Sequence, residues 1–258
     1  MAAKEMKTTQ KDPLDRVSKA SESEFKRAEF AILLFYLGVD LIPRLGSVEV
    51  MGPQWLYLSL MNLIATIYIF TSFKGKLNRI LQKISVNILS KVYLLVFILC
   101  GLSIFFAINP IESLVVYSRF IITIIAVLNI SLLIYQRPKY IELLFQAISI
   151  IALFQCLPLL YSYVKLVDTT ETSTLIHSLI LNSGNKNILA ASFVIKTPLI
   201  IYCVFKFYSI RRFIINITSL TLLAMVIILL NARAAYIGFF AQIIMFLIFL
   251  YLNKKQST

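Results

Sequence analysis

An all-α polytopic membrane helical bundle, with about eight transmembrane helices and both termini cytoplasmic, is the fold class this sequence predicts. Three observations carry that expectation. Hydrophobic residues make up 59% of the 258 and charged residues only 14%, a balance too apolar for a water-soluble domain of this length. The apolar residues gather into runs of the roughly 17–25 that a bilayer-crossing helix needs. Basic residues collect in alternate loops between those runs, as the positive-inside rule requires.

The elements follow in order. Residues 1–29 form a polar cytoplasmic tail, with seven Lys or Arg against six acids. A cleaved signal peptide needs a short basic start and an early apolar core, whereas the first apolar run begins near Phe30, so the first membrane helix is expected to be retained. The transmembrane domain covers 30–252, with spans near 30–46, 54–73, 91–108, 112–134, 141–164, 187–206, 213–231 and 234–252. A short cytoplasmic tail, 253–258, follows it. Pro43, Pro53, Pro110, Pro138 and the polar run 182–187 fall at the joints, where such residues interrupt helices.

Between the second and third spans, Leu77, Ile80, Leu81, Ile84, Ile88 and Leu89 recur at helical spacing, while Arg79, Gln82, Lys83 and Asn87 take other faces. That pattern predicts an amphipathic helix lying on anionic headgroups as an anchor. The basic loops account for the net charge of +13, and a nucleic-acid partner is not expected, because such binders need a basic surface in water. Cys100, Cys156 and Cys203 each sit inside an apolar run, with no Cys-x-x-Cys pair, and are read as packing residues without disulfide or metal.

Of the 25 basic residues, only Arg44, Arg119, Lys165, Lys186, Lys196 and Arg233 escape the cytoplasmic side. An ionised group near mid-bilayer costs roughly 2.5–3.5 kcal/mol on insertion scales, so a partner, water or a ligand must offset it. At about 1.5 Å of rise per residue, Arg119 and Lys196 lie roughly 10–14 Å below the outer face, with Arg44 and Arg233 nearer the surface. Four cations of the outer half are expected to line one cavity suited to a polyanion. Each also has a plain structural reading. Asp40 and Arg44, four apart, can pair with each other; Lys196 can snorkel; Arg119 can satisfy backbone carbonyls. Arg233 sits in Asn231-Ala232-Arg233-Ala234-Ala235-Tyr236, where small neighbours permit close approach and the guanidinium fork suits phosphate.

The segment Asn182-Ser183-Gly184-Asn185-Lys186-Asn187 precedes the sixth span. Asn185 or Asn187 is expected to cap that helix, which places free N–H groups, the positive dipole end and Lys186 at the outer water. His177, the sole histidine, falls in the outer loop before this segment and reads as a surface residue.

The run Ser183 to Ser192, then Lys196-Thr197-Pro198-Leu199, then Asn231-Ala232-Arg233-Ala234-Ala235, resembles the O-antigen ligase and O-antigen polymerase superfamily of bacterial membrane glycosyltransferases. Gly52 to Ser59 is similar to members associated with Bacteroidetes-type bacteria. The family pattern is a Gly-Asn-x-Asn helix start followed by a Ser-Arg motif; here Ala232 stands where that serine is expected. The resemblance implies a multi-pass protein of the bacterial inner membrane that transfers a glycan from an undecaprenyl pyrophosphate carrier to an acceptor such as lipid A core, without a cofactor or metal. It implies that Arg233 binds the pyrophosphate and stabilises the leaving group, with Lys196 and Lys186 assisting. Asn185 and Asn187 belong to the same expected donor site, and Arg119 joins on charge alone. The family's periplasmic loop, with a second arginine and an acceptor-activating histidine, is expected beyond Thr258, so the chain reads as an amino-terminal portion. Alternatives are a transporter- or flippase-like binder of an anionic lipid or solute and a non-catalytic envelope-assembly scaffold.

The topology makes a direct prediction. With the native cysteines replaced, a membrane-impermeant thiol reagent applied from outside should label Ser183→Cys and leave Ser209→Cys untouched; the reverse pattern inverts the orientation.

Overall fold

The computed structural model describes residues 27–43, 45, 47, 49–73, 77–168, 184–206 and 209–256. Among them the chain is helical and forms no strand. Helix α1 covers residues 27–37 and tightens into a 3₁₀ turn, Gly38–Leu41. There follow α2 (Gly52–Ser72), α3 (Leu77–Val86), α4 (Ile88–Ser103, extended by a 3₁₀ turn at Ile104–Phe106) and α5 (Pro110–Gln136). The remaining helices are α6 (Lys139–Leu166), α7 (Lys186–Lys206), α8 (Ile210–Leu230) and α9 (Arg233–Gln256).

Six of these, α2 and α4 to α8, are long and apolar enough to cross a membrane, and the protein is a multi-pass helical membrane bundle. Of the eight expected spans, the first differs. It is cut short at Ile42, whose extended backbone (ψ 120°) is the conformation a residue before proline favours, here Pro43. The last, expected over 234–252, forms α9, which begins at Arg233 and continues to Gln256. The amphipathic segment forms α3 and ends before Asn87, whose side chain accepts from the Leu89 N–H at 3.0 Å and so starts α4 separately. Asn109 does the same for α5, accepting from the Glu112 N–H with Pro110 at the first helical position.

The helices pack in two groups. In the first, α1, α2 and α5 bury Leu33, Tyr36, Ala65, Ile69 and Leu133 against one another. In the second, α6, α7 and α8 enclose Ala152, Cys156, Ala190, Phe193 and Leu223, with the start of α9 laid against them. Cys156 and Cys203 are buried in packing roles, whereas Cys100 is exposed on α4, a helix with no buried residue.

Apolar burial does not by itself hold membrane helices together, because lipid tails are as apolar as leucine; small residues and hydrogen bonds do. Gln146 and Asn216 exchange side-chain amide bonds at 3.0 and 3.2 Å, and Ser219 Oγ donates to the Ser149 carbonyl at 2.9 Å. Each contact spans 70 residues, so α6 and α8 run parallel in a fixed register. In the other group, Tyr36 donates to Asn62 Oδ1 (2.8 Å), while Asn129 Nδ2 lies 3.1 Å from Tyr36 Oη and 3.1 Å from Thr66 Oγ1. At the basic end, Arg137 Nε pairs with the buried Glu29 at 2.6 Å and joins α1 to the α5–α6 corner.

Gln146→Leu should therefore destabilise the bundle by about 0.6–1.7 kcal/mol, the range for membrane interhelical hydrogen bonds, by stranding Asn216. Gln146→Leu combined with Asn216→Leu should recover part of that loss. Unfolding of Gln146→Leu, Asn216→Leu and the double variant in mixed micelles gives the coupling, and additivity would remove the amide pair as a packing determinant.

Candidate functional site

The end of α1, the start of α2, the end of α6, the start of α7 and the α8–α9 corner share the face opposite the basic loops. Gly184 fixes one part of this face. It has φ +67°, and a Cβ there would meet the Val50 side chain at 2.9 Å, so glycine lets the bend before α7 lie against Val50 at the approach to α2. Asn185 caps α7, its Oδ1 accepting from the Asn187 N–H at 2.8 Å, which is one of the two capping arrangements expected.

Lys196, ten residues into α7, is buried at 8% exposure. Its Nζ lies 2.7 Å from Asp40 Oδ2, 2.7 Å from Gln155 Oε1 and 2.9 Å from Ser192 Oγ. An ammonium has three donors, and these contacts engage all of them. Lys196 therefore does not snorkel. It is also an internal counter-ion rather than the open phosphate ligand expected from sequence. Asp40, offered Arg44 as its partner by spacing, takes Lys196 from across the fold; Arg44 lies outside the described residues. Gln155 Nε2 donates in turn to the Asp40 backbone carbonyl at 3.3 Å, so α1, α6 and α7 meet at one knot.

Arg119 is likewise matched. Its guanidinium pairs with Glu49 and stands over the Trp55 ring, 5.8 Å from the centroid. Glu49 was the group the sequence reading missed: it sits in a short loop, and no spacing rule links it to Arg119.

Arg233 differs. It is the first residue of α9 and exposed, while Ala232 and Ala235 beside it are buried in the α6–α8 core. The corner has a defined backbone: Asn231 takes the left-handed conformation (φ 48°, ψ 44°) that ends α8, and Tyr236 Oη donates to the Ile228 carbonyl at 2.7 Å. Among the described residues, the Arg233 side chain has neither an ion pair nor a hydrogen bond. The same holds for Lys186, half-buried at the start of α7. Both cations stand at helix N-termini, where the dipole already places positive charge and disfavours them. Helices α7 and α9 run parallel in close contact, with a Cβ at Gly238 coming within 3.1 Å of Val194, so both N-termini open on this face.

The four-cation cavity is not what the described residues form. Two cations are neutralised within the protein, and the cavity of about 260 Å³ beside Lys196 is lined by Asp40, Gln54, Gln155 and Ser192 among apolar groups. His177 and Ser183 lie outside the described residues. Comparison of the chain with known protein families, with characterised proteins and with solved structures finds no match.

Removing Lys196 should expose the dependence of Asp40 upon it. Lys196→Met alone should cost about 1–3 kcal/mol, less than the roughly 3–5 of a fully buried broken pair because the Asp40 side chain is 38% exposed. Lys196→Met with Asp40→Asn should be milder than Lys196→Met. Thermal unfolding in detergent checks the order, and equal losses would make the pair energetically idle.

Proposed function

We propose that this protein is a bacterial inner-membrane glycosyltransferase of the O-antigen ligase and polymerase type, or its donor-binding portion, with Arg233 as the donor pyrophosphate ligand. One observation carries the reading: of the membrane-embedded cations the sequence singled out, Lys196 and Arg119 are ion-paired, whereas Arg233 is exposed at a helix start with no partner among the described residues. An unmatched guanidinium beside free helix N–H groups has the chemistry of a phosphate clamp. Lys186, Asn185 and Asn187 at the neighbouring α7 start supply a second set of donors.

In the reaction the acceptor hydroxyl oxygen forms a bond to the anomeric carbon. The bond from that carbon to the pyrophosphate oxygen breaks, and undecaprenyl pyrophosphate leaves with the electron pair. Arg233 stabilises the charge developing on that oxygen. The hydroxyl proton goes to a base, and neither Arg233 nor ionised Lys186 is one. That last point favours a second reading, in which the same site binds an anionic lipid or solute for transport without bond making.

In nanodiscs, Arg233→Ala should weaken binding of undecaprenyl pyrophosphate-linked glycan by about ten- to a hundredfold, with Arg233→Lys intermediate because lysine cannot form the bidentate fork. Unchanged affinity in Arg233→Ala would overturn the donor site. Transfer of the glycan to lipid A core by the wild type separates the enzyme from the transporter.

A further inference from the structure

The cavity of about 260 Å³ between α1, α2, α6 and α7 is separate in chemistry from the Arg233 corner. Its volume lies just under the roughly 300–1,000 Å³ of pockets for drug-sized ligands, which limits it to a small solute or a single ring. Its polar lining comes from Asp40, Gln54, Gln155 and Ser192, and its apolar lining includes Leu41, Phe154 and Pro158.

The hydrogen bonds behind that lining decide what it accepts. Lys196 uses its three donors on Asp40 Oδ2, Gln155 Oε1 and Ser192 Oγ. The Ser192 hydroxyl therefore accepts from behind and keeps its own proton for a ligand. Asp40 receives Lys196 on Oδ2, and among the described residues its Oδ1 takes no hydrogen bond, while the side chain is 38% exposed. Gln155 holds its Nε2 near the Asp40 carbonyl with one further N–H to give. The cavity thus offers a charge-assisted acceptor beside hydroxyl and amide donors.

Charge narrows the choice. A phosphate or carboxylate would face the Asp40 carboxylate, and a cation would come close to the Lys196 ammonium 2.7 Å behind it. The ion pair is neutral as a unit, so the lining favours an uncharged ligand. Alternating donors and acceptors match neighbouring hydroxyls, and Phe154 and Pro158 suit the C–H face of a ring. We infer that this cavity is a binding site for a neutral polyhydroxylated ring, a single sugar residue, with Asp40 accepting from one hydroxyl and Ser192 and Gln155 donating to its neighbours. The inference stands on the cavity and does not require Arg233 to bind pyrophosphate.

Saturation-transfer NMR on the full chain in nanodiscs tests it, with free glucose, galactose and N-acetylglucosamine as probes and glucose 6-phosphate as the charged control. At least one neutral sugar should bind saturably, with the phosphate at least tenfold weaker. Ser192→Leu fills the cavity and leaves the Asp40–Lys196 pair intact; Asp40→Asn with Lys196→Met removes the charged acceptor without stranding a charge. Each should weaken sugar binding at least tenfold, and whichever variant remains folded by thermal unfolding decides. Absence of saturable binding to every neutral probe, equal binding of glucose 6-phosphate, or wild-type affinity in a folded variant would overturn the inference. The probes carry no pyrophosphate, so failure here leaves the donor reading untouched, and failure of Arg233→Ala to weaken donor binding leaves the sugar site untouched.

Discussion

The ion pair between Lys196 and Asp40 is the constraint around which the outer half of this bundle is organised. A bare ammonium some ten residues into a membrane helix has no solvent to satisfy it, and its cost falls only when a carboxylate and two further acceptors converge upon it. Those acceptors come from α1, α6 and α7, so satisfying one charge fixes three helices. Because α1 belongs to one packing group while α6 and α7 belong to the other, the pair also joins the two groups. At the opposite end Arg137 and Glu29 make a second such joint. Charge pairs at both ends hold together halves that apolar contact alone would leave free to exchange with lipid.

Within each group the same logic operates with neutral groups. Gln146 against Asn216 and Ser219 on Ser149 satisfy polar atoms that lipid cannot, and each works only in a single register. Ala152 and Ala190 stand at full burial where a larger side chain would push the helices apart. Helix α4 has only one long bond of this kind among the described residues, Tyr117 Oη donating to the Phe97 carbonyl at 3.4 Å. Its contacts to α5 are aromatic and shallow, as in the stacking of Phe97 on Tyr117 with centroids 5.1 Å apart, and its other faces stay open.

Local signals in the chain anticipated the helices well, because hydropathy and caps act over a few residues. Pro110 and Asn185 stand at helix starts as expected, beside capping bonds from Asn109 and Asn185, whereas Asn87, read as part of the amphipathic helix, instead caps α4. The charge partners were a different matter. Asp40 finds Lys196 and Arg119 finds Glu49 through packing of helices distant in the chain, and spacing rules offered Arg44 and backbone carbonyls instead. Treating four outer cations as one polyanion site failed for the same reason: a sum of formal charges cannot show which charges are already matched. The shortened first span was legible in part, since Pro43 marked its end, but the tightening at Gly38–Leu41 that carries Asp40 toward Lys196 depends on tertiary contact.

What distinguishes Arg233 is therefore comparative. Lys196 and Arg119 have an opposite charge within reach, whereas among the described residues Arg233 and Lys186 have none, and both occupy helix starts where the backbone makes a cation less favourable. Placing them there would be a net cost in the free protein unless outer water or an anion offsets it. Water can hydrate an exposed guanidinium, while the Asn231–Tyr236 corner and the buried Ala232 and Ala235 fix the backbone that carries this one. Pre-organisation of that kind lowers the cost of ordering a ligand contact and does little for a solvated charge. A guanidinium at a helix start, with its fork unoccupied by protein among the described residues, has the chemistry that the proposed anionic ligand requires.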